Sequence, residues 1–468
     1  MSDFLESTVR QLNRAQQASE KIFENETTGP PTEDALAMMF VNSLMLVDEV
    51  PYLQYVDAWS RWLRWTGTRW QHDDVLHVFE RARKFLRDLG AGYDLKVQRG
   101  LGKQATVAAV ERLARCDTRC ASTIATWDAD PMLLNTPGGT VDLKTGDLRR
   151  HKATDYLTKI TKTAPGGECP RWLTFLGEVT AGDLELQAFL ARMVGYLLTG
   201  LTNEHALFFV FGTGGNGKGV FLNTLAWLLG DYASIAPMET FTATPTDRHP
   251  TELAMLRGSR FVVSQETEEG RRWAESRIKS LTGGDPITAR FMRGDFFTFE
   301  PQFKLVIAGN HKPALRTVDE AIKRRLHLIP FTVTIPPERR DPGLGDALRQ
   351  EAAGILAWAV EGCLEWQRDG LRPPARVLEA TREYFEVQDS LQAWIEDCCD
   401  VGPNCWDPPG VLFASWSTWA DKAGEHIGNQ RSFGDRLDAA GYLRDRTGIT
   451  RKHVGIAVKT QGFEGGRP

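Results

Sequence analysis

Apolar and polar positions alternate differently in successive parts of the chain, and they predict different elements there. Residues 56–70 hold aromatic runs on both sides of a turn, TGT, which predicts a β-hairpin with an aromatic face. Residues 75–90 repeat apolar positions at helical spacing and end on glycine after several basic residues, as helices prefer. Residues 128–151 carry three turn clusters between short apolar runs, which predicts a compact β segment, and helical spacing follows over 172–198.

From residue 206 onward the pattern becomes that of buried strands alternating with helices. An uninterrupted apolar run occupies residues 206–211, and mostly apolar segments that predict further strands occupy 260–265, 303–309 and 326–333. Because the strands of a parallel sheet are covered on both faces, runs of this kind predict a parallel-sheet domain. The fold class that we expect is therefore α/β, with an N-terminal α+β region before the sheet.

The last part of the chain follows a Pro-rich break at residues 372–374. Helical spacing over 410–423 and 429–442, and alternation over 450–460, outline a winged-helix-like domain. Residues 1–50 contain nine Asp and Glu against three Lys and Arg, which predicts an acidic arm or a marginal helix. We therefore expect an acidic arm, an α+β and helical domain, the parallel-sheet domain and the winged-helix-like domain, at residues 1–50, 51–200, 201–372 and 376–468.

Composition excludes several classes of protein. The 468 residues are 42% hydrophobic and 25% charged, which is the profile of a globular chain rather than a disordered or fibrous one. The apolar runs are far shorter than the roughly 20 residues of a membrane-spanning helix, and the N-terminus has neither a basic nor an apolar signal region. We therefore expect a cytoplasmic protein of a bacterial host cell with no membrane partner.

The cysteines and the net charge narrow the chemistry further. Seven cysteines form no CxxC pair, so Cys116 and Cys120 are either half of a zinc site that lacks a second half or ordinary thiols. The formal net charge of −5 argues against a chain that binds polyanions over its whole surface. Any contact with nucleic acid must then come from local basic surface.

A glycine loop follows the strand at residues 206–211 and precedes a helical segment. Its glycines let backbone N–H groups turn inward around a phosphate, and Lys218 can reach the β- and γ-phosphates of a nucleotide. The alternative is a glycine turn that only connects two elements. The candidate nucleotide-binding residues are Gly212, Thr213, Gly214, Gly215, Asn216, Gly217, Lys218, Gly219 and Val220. Gly219 stands where such loops carry the Ser or Thr that ligates Mg²⁺. The metal must then be held by water, by the phosphates and by an acid elsewhere in the chain.

Polar side chains stand at the ends of the later strands. Glu266 follows the strand at 260–265, where an acid can orient a metal and activate water, although it could also be the solvated start of a helix. Asn310 follows the next strand and either senses the γ-phosphate or is a turn residue. Arg325, with Arg324 as the second choice, could reach a neighbouring subunit's γ-phosphate, or it could simply be the basic end of a helix.

Five motifs in order resemble those of the superfamily 3 helicases. They are GTGGNGKG, RFVVSQETEEG, KSLTGGDPITARF, FKLVIAGNHKP and KRRLHLIPF. More specifically, the chain is similar to the phage and plasmid primase-helicase family related to the poxvirus primase-helicase. The upstream segments WLRWTGTRW, DADPMLLNTPGGTVDLKTGDLRRH and LARMVGYLLTG extend the resemblance to about residues 50–390.

The resemblance implies a P-loop, AAA+-like ATPase core and a set of roles. Lys218 would bind phosphate, Glu266 would be the acid that handles Mg²⁺, and Asn310 would be the sensor. Arg325, or Arg324, would be the finger that acts on a neighbouring subunit, and Lys279 would also reach the neighbour's nucleotide. Two departures, Gly219 and the Gln265 that stands in place of a first acid, bear on how the metal is held.

Residues 288–301 predict a β-hairpin around a turn, and its basic and aromatic side chains suit a grip on single-stranded DNA. Those side chains are Arg290, Arg293 and Phe296. In the resembled family this hairpin lines the channel of a hexameric ring. A purely structural hairpin, with Phe297 and Phe299 in the core, is the alternative.

The C-terminal part is locally basic. Residues 429–468 hold eight Lys and Arg against four Asp and Glu, which is the charge excess expected of a DNA contact. Arg431 and Arg436 would lie on a recognition helix, and Arg451 and Lys452 on the wing. A solvated surface or a protein-docking module is the alternative.

Taken together, the sequence predicts an ATP- and Mg²⁺-dependent, hexamer-forming DNA helicase for replication of a phage, plasmid or integrated element, acting on single-stranded and forked DNA. From Met1 no zinc-binding or other primase unit is recognisable, so a separate primase or initiator is a candidate partner. Two other functions stay open. One is an initiator that uses nucleotide only to assemble on origin DNA, and the other is a P-loop ATPase that acts on protein.

Overall fold

The computed structural model describes residues 31–46, 50–243, 251–265, 272–290, 295–313, 315, 318–388, 390–425, 427–447 and 450–459. Glu266 and Arg293, two of the predicted site residues, lie outside these ranges. The helices are α1 Glu33–Ser43, α2 His77–Gly90, α3 Leu95–Leu101, α4 Gln104–Cys116, α5 Pro170–Val179, α6 Leu184–Leu198, α7 Lys218–Leu229, α8 Thr251–Ala254, α9 Glu275–Thr282, α10 Glu320–Lys323, α11 Leu344–Gln350, α12 Ala352–Asp369, α13 Ala375–Gln388, α14 Ser390–Cys398, α15 Pro409–Ala423 and α16 Gln430–Ala439.

Strands lie within the four apolar runs predicted from residue 206 onward, and others lie elsewhere in the described ranges. They are β1 Leu53–Val56, β2 Arg61–Trp65, β3 Trp70–His72, β4 Ala121–Ser122, β5 Leu133–Thr136, β6 Gly139–Asp142, β7 Asp147–Arg149, β8 Leu207–Phe211, β9 Ala233–Ile235, β10 Phe261–Gln265, β11 Ile287–Arg290, β12 Phe296–Phe299, β13 Lys304–Gly309, β14 Leu326–Pro330, β15 Cys399–Asp407, β16 Arg444–Thr447 and β17 Thr450–Val458.

A five-stranded parallel sheet in the order β14-β8-β13-β10-β9 organises the middle of the chain. The runs of mostly buried apolar residues that predicted β8, β10, β13 and β14 are covered on both faces, as parallel strands require. Phe211 pairs with Gly309, and Gln265 pairs with Ala308, so the carboxyl ends of β8, β13 and β10 lie side by side. Whatever follows these three strands therefore meets at one edge of the sheet.

The segments before the sheet contribute to different hydrophobic cores. Helix α1 lies in the stretch predicted to be an acidic arm or a marginal helix, and Leu36, Phe40 and Val41 on it are buried in a core shared with α4. Residues 132–198, which we grouped with the N-terminal domain, share one core with Phe208 and Val210 of the sheet. Burial of apolar surface, which composition alone does not assign to a partner, decides both placements.

Two buried cations tie this upstream region to the sheet. Arg260 donates hydrogen bonds to the carbonyl oxygens of Leu198 (2.6 Å) and Leu133 (2.8 Å). Lys304, at the start of β13, donates to the carbonyl oxygen of Thr199, and burial sets its pKa well below the ordinary value for lysine. Because buried donors must be satisfied, these bonds fix the loop after α6 against the sheet.

The C-terminal part has a core of its own around Trp394, Trp416 and Phe433. Its elements run helix, strand, helix, helix and a two-stranded ribbon, and β15-β17-β16 form an antiparallel sheet. Over the described ranges, no helix has the length and apolar character needed to cross a membrane.

Candidate functional site

The glycine loop connects β8 to α7 at the carboxyl edge of the sheet. Gly212 has no room for a side chain, since a Cβ there would lie 1.9 Å from the carbonyl oxygen of Phe331. Gly217, which precedes α7, has a φ of +85°, and a Cβ would lie 2.5 Å from a methyl group of Val179. Both glycines are therefore required by close approach, and the loop leads directly into the positive end of a helix dipole.

Lys218 is the first residue of α7, and its ammonium is surrounded by oxygen atoms. Its Nζ donates to the carbonyl oxygens of Gly212 (2.6 Å) and Thr213 (3.4 Å) and to the side-chain oxygens of Asn216 and Asn310 (3.1 Å each). Burial lowers the pKa of Lys218 from its ordinary value. None of these oxygen atoms belongs to a carboxylate, so the positive charge stays available to an anion at this edge.

Asn216 holds the loop to the neighbouring chain segment. Its Nδ2 donates to the carbonyl oxygen of Phe331 at 2.6 Å, while its oxygen accepts from Lys218. The segment 331–340 then follows the loop, because the N–H of Ile335 donates to the carbonyl oxygen of Gly215 at 2.8 Å. The Thr213 and Thr334 hydroxyls lie 3.2 Å apart. We call segment 331–340 the strap. No motif marks it, and the sequence analysis did not predict its contact with the loop.

Asn310 follows β13 directly and faces the loop from the adjacent strand. The chain from β10 reaches the same edge with Gln265, whose amide donates to the side-chain oxygen of Asn223 at 2.9 Å. Glu266, the next residue, lies outside the described ranges. Among the residues that the structure describes, no group of three or more His, Cys, Asp and Glu side chains forms a metal site. The site therefore brings a lysine, an amide and a glycine loop at the start of a helix together, which suits phosphate oxygens.

Lys279 and the two arginines lie elsewhere on the fold. Lys279 on α9 forms an ion pair with Asp319, which caps α10 through its bond to the N–H of Ile322 (2.9 Å). Burial opposes ionisation of Asp319, but the hydrogen bond from Lys279 leads the effects that bring its pKa below the usual value. Helix α10 leads directly to Arg324 and Arg325, and Lys279 pairs with the residue that caps this helix at its other end.

The two candidate finger residues differ in exposure. Arg325 is only 7% exposed, and its Nη1 donates to the carbonyl oxygen of Ala321 at 2.7 Å. Burial, followed by the charge of Arg324, lowers its pKa. Arg324 is exposed. Arg324, our second choice from sequence, is therefore the more accessible of the two guanidinium groups.

The predicted hairpin forms from β11 and β12, with Arg290 paired to Phe296. The Arg290 guanidinium lies over the Phe296 ring, 4.8 Å from its centroid, and Phe296 is 62% exposed. Phe297 and Phe299 are only partly buried, and Phe299 packs against the core below the sheet. The hairpin therefore combines an anchored aromatic stem with a basic, aromatic outer part.

The basic residues of the C-terminal part are unequal in accessibility. Arg431 is exposed on α16, whereas Arg436 lies over the Trp416 ring and contacts Ser390 at 3.4 Å. Lys452 on β17 is 3.8 Å from Asp445 and lies over Trp406. Arg451 pairs through its backbone with Arg446 of β16.

The fold and this edge define a class, an α/β protein with a parallel sheet whose first strand runs into a glycine loop and helix. Comparison with known families narrows the class. Residues 43–181 match the family described as "D5 N terminal like", and residues 210–325 match a family of unknown function, DUF5906. These matches confirm the resemblance to the D5-like primase-helicases that the motifs indicated.

Several curated viral proteins are similar to this chain. The chain is 26% identical over 279 residues to a protein named "Putative helicase 022R" of Frog virus 3, which covers 54% of this chain and 28% of that protein. It is 25% identical over 234 residues to a "Putative helicase" of Acanthamoeba polyphaga mimivirus, covering 46% of this chain and 24% of that protein. Thus the chain spans about a quarter of the length of these relatives.

Among solved structures, the apo form of the NrS-1 C-terminal region (305–718) is similar with a TM-score of 0.49 and 11% identity. The alignment covers 91% of this chain and 100% of that one.

Proposed function

We propose that this chain is an ATP-dependent, ring-forming DNA helicase of the superfamily 3 type that serves replication of a phage, plasmid or other mobile element. The observation that carries the proposal is the meeting of Lys218 and Asn310 at the edge where β8, β13 and β10 end together. The names of the viral relatives support a role in replication. These relatives are much longer proteins, so the activity is proposed for this chain from its own residues.

ATP is the proposed substrate at this edge. The loop N–H groups and Lys218 would hold the β- and γ-phosphates, and the glycine positions that admit no Cβ fit a cradle for phosphate. Asn310 would position the attacking water or sense the γ-phosphate, and Glu266 would be the base. Mg²⁺, when bound, would neutralise phosphate charge. With glycine at 219, Glu266 is the residue of this chain assigned to hold it.

Neighbouring subunits would share each nucleotide. Among the described residues, Lys218 hydrogen-bonds only to its own loop and to Asn310, whereas Lys279 pairs with Asp319 at the start of α10 and Arg324 follows the end of that helix. This separation supports an arrangement in which one subunit binds ATP and the next supplies basic groups to it. An AAA+-like hexameric ring satisfies that arrangement.

DNA would be held by two parts of the chain. The hairpin of β11 and β12 would present Arg290 and Phe296 to a single strand in the channel, and Arg293, which lies outside the described residues, would add a second basic group from the sequence between them. The C-terminal element order matches that of a winged helix, in which α16 would be the recognition helix and the β16–β17 ribbon the wing. Of Arg431 and Arg436 on α16, the exposed Arg431 is the better placed to contact DNA.

The test is DNA-stimulated phosphate release together with forked-duplex unwinding by the wild type, Lys218→Ala and Arg293→Ala. We expect Lys218→Ala to abolish both activities, and Arg293→Ala to lose unwinding while it keeps ATP binding. Negative-stain imaging with an ATP analogue and a single-stranded oligonucleotide should show six-membered rings. Absence of any Lys218-dependent turnover would contradict the helicase.

A second function is favoured by Gly219, because a loop without the metal-binding hydroxyl is suited to binding more than to turnover. In that case the chain would be an initiator that uses nucleotide only to assemble on origin DNA. Nucleotide-dependent binding to duplex DNA without phosphate release would support it. A P-loop ATPase that acts on protein would instead release phosphate with no response to DNA.

A further inference from the structure

Arg340 lies against the glycine loop although no motif marks it. A Cβ built on Gly215 would be 2.4 Å from Nη2, 3.0 Å from Cζ and 3.4 Å from Nε of Arg340. All three distances are short, so the guanidinium lies directly over the Cα of Gly215. Gly215 also has a φ of +74°, so the absence of a side chain both permits the turn and makes room for the arginine.

The strap between Phe331 and Arg340 fixes where the guanidinium stands. Arg340 Nε donates to the carbonyl oxygen of Ile335 at 2.9 Å, and the N–H of Ile335 donates to the carbonyl oxygen of Gly215 at 2.8 Å. These two bonds connect Arg340 to the loop through a single intervening residue. The position of the guanidinium is therefore tied to the loop itself.

The charge of Arg340 is not neutralised by the protein in the described ranges. Its Nη1 and Nη2 groups make no hydrogen bond there, and no carboxylate there lies within 4.0 Å of them. Asp341, the next residue, lies 3.6 Å from Arg171 instead. Arg340 is also exposed. An arginine with both terminal nitrogens free is suited to two parallel hydrogen bonds with a phosphate.

We infer that Arg340 is a phosphate-binding residue of this same subunit's nucleotide site, and that it contacts the phosphate chain from above Gly215. The inference rests on the proposed function, since it presumes that the glycine loop binds ATP. It adds a second cation to Lys218 within one subunit, at a loop that lacks the usual hydroxyl at 219. It also assigns a reason to Gly215, whose replacement would push the guanidinium off the loop.

The experiment measures binding of a fluorescent ATP analogue and its displacement by tripolyphosphate, which offers phosphates without a base. Arg340→Gln keeps a polar group but removes the charge and shortens the side chain, whereas Arg340→Lys keeps the charge. Arg339→Ala is the matched control, since Arg339 is the adjacent exposed arginine. We expect Arg340→Gln to weaken both ligands by about tenfold or more, Arg340→Lys by less, and Arg339→Ala by no more than about twofold.

The outcomes separate the inference from the proposed function. If the wild type fails to bind either ligand, or Lys218→Ala binds as well as the wild type, the nucleotide site itself is wrong. If the wild type binds and depends on Lys218 while Arg340→Gln behaves like Arg339→Ala, only the role of Arg340 is overturned. Equal losses in Arg340→Gln and Arg340→Lys, together with a lower melting temperature, would mean that Arg340 only braces the strap.

Discussion

Lys218 and Asn310 are 92 residues apart in the chain, yet the ammonium of the first donates to the side-chain oxygen of the second at 3.1 Å. The contact exists because β8 and β13 are adjacent parallel strands, so the residues after them emerge at one edge. It places an amide beside the cation proposed to hold the γ-phosphate.

Asn310→Ala should separate binding from turnover. Removal of the amide leaves Lys218 with its three remaining oxygen partners, so we expect nucleotide affinity to change by only a few-fold. Hydrolysis should fall by about a hundredfold, the usual cost of losing one group that orients the reacting atoms. Equilibrium binding and single-turnover hydrolysis give the two numbers. Equal losses in both would mean that Asn310 supports the loop and not the reaction.

Gly219→Ser should restore the missing hydroxyl at little structural cost. A Cβ on Gly219 would meet no atom within 4 Å, and the residue lies in α7, where serine is favoured over glycine by up to about 0.5 kcal/mol. We expect the Mg²⁺ concentration for half-maximal hydrolysis to fall several-fold. Gly219→Ala, which adds the Cβ without the oxygen, is the control. Identical Mg²⁺ curves for both variants would show that the metal is held without this position.

Replacement of Arg324 should affect ATP turnover, whereas replacement of Arg325 should affect stability. Exposed Arg324 is expected to act on a neighbouring subunit, so Arg324→Ala mixed into the wild type should lower ATP turnover more steeply than dilution. Arg325→Ala removes a buried guanidinium bonded to Ala321 and should lower the free energy of unfolding by about 1–3 kcal/mol. Mixing experiments and denaturant titrations distinguish them. A proportional response for Arg324→Ala in a ring that forms normally would contradict the assignment.

Gly195 should be intolerant of any side chain. Helices α6 and α12 cross so closely that a Cβ on Gly195 would lie 2.1 Å from the backbone nitrogen of Cys363. Because backbone cannot move aside cheaply, Gly195→Ala should cost about 3 kcal/mol or more of stability. Gly177→Ala is the control, since a Cβ there meets nothing within 4 Å and should stabilise its helix by up to about 1 kcal/mol. Chemical denaturation of both variants measures the difference.

His327 should make stability depend on pH. Its ring stacks on Phe208 at 5.5 Å, and burial lowers its pKa to about 4, below the ordinary value of 6.5. The unfolded chain therefore takes up a proton first as pH falls, so stability should be full above about pH 6.5 and decline toward pH 4 by about 3 kcal/mol from this residue. His327→Phe keeps the stacking and should flatten that part of the curve. An unchanged curve would assign the decline to other groups.

The sequence determined the sheet and the loop. Apolar runs long enough for one strand each, separated by helical spacing, can only be buried on both faces, and this fixed β8, β10, β13 and β14 to within a few residues. Glycines beside Lys218 indicated the loop for a different reason, because few other residues adopt its backbone conformation. The hairpin of β11 and β12 followed from alternation around a turn.

Only the tertiary structure decided which segments pack together and which charges stay exposed. Strand order, set by burial and not by local pattern, brought Asn310 to Lys218 and laid Arg340 over Gly215. The same packing buried Arg325 and left Arg324 outside, although the two are adjacent and chemically identical. Hydrophobic period and composition describe each residue with its neighbours in the chain, whereas the exposure of a side chain depends on contacts with residues that are distant in the chain.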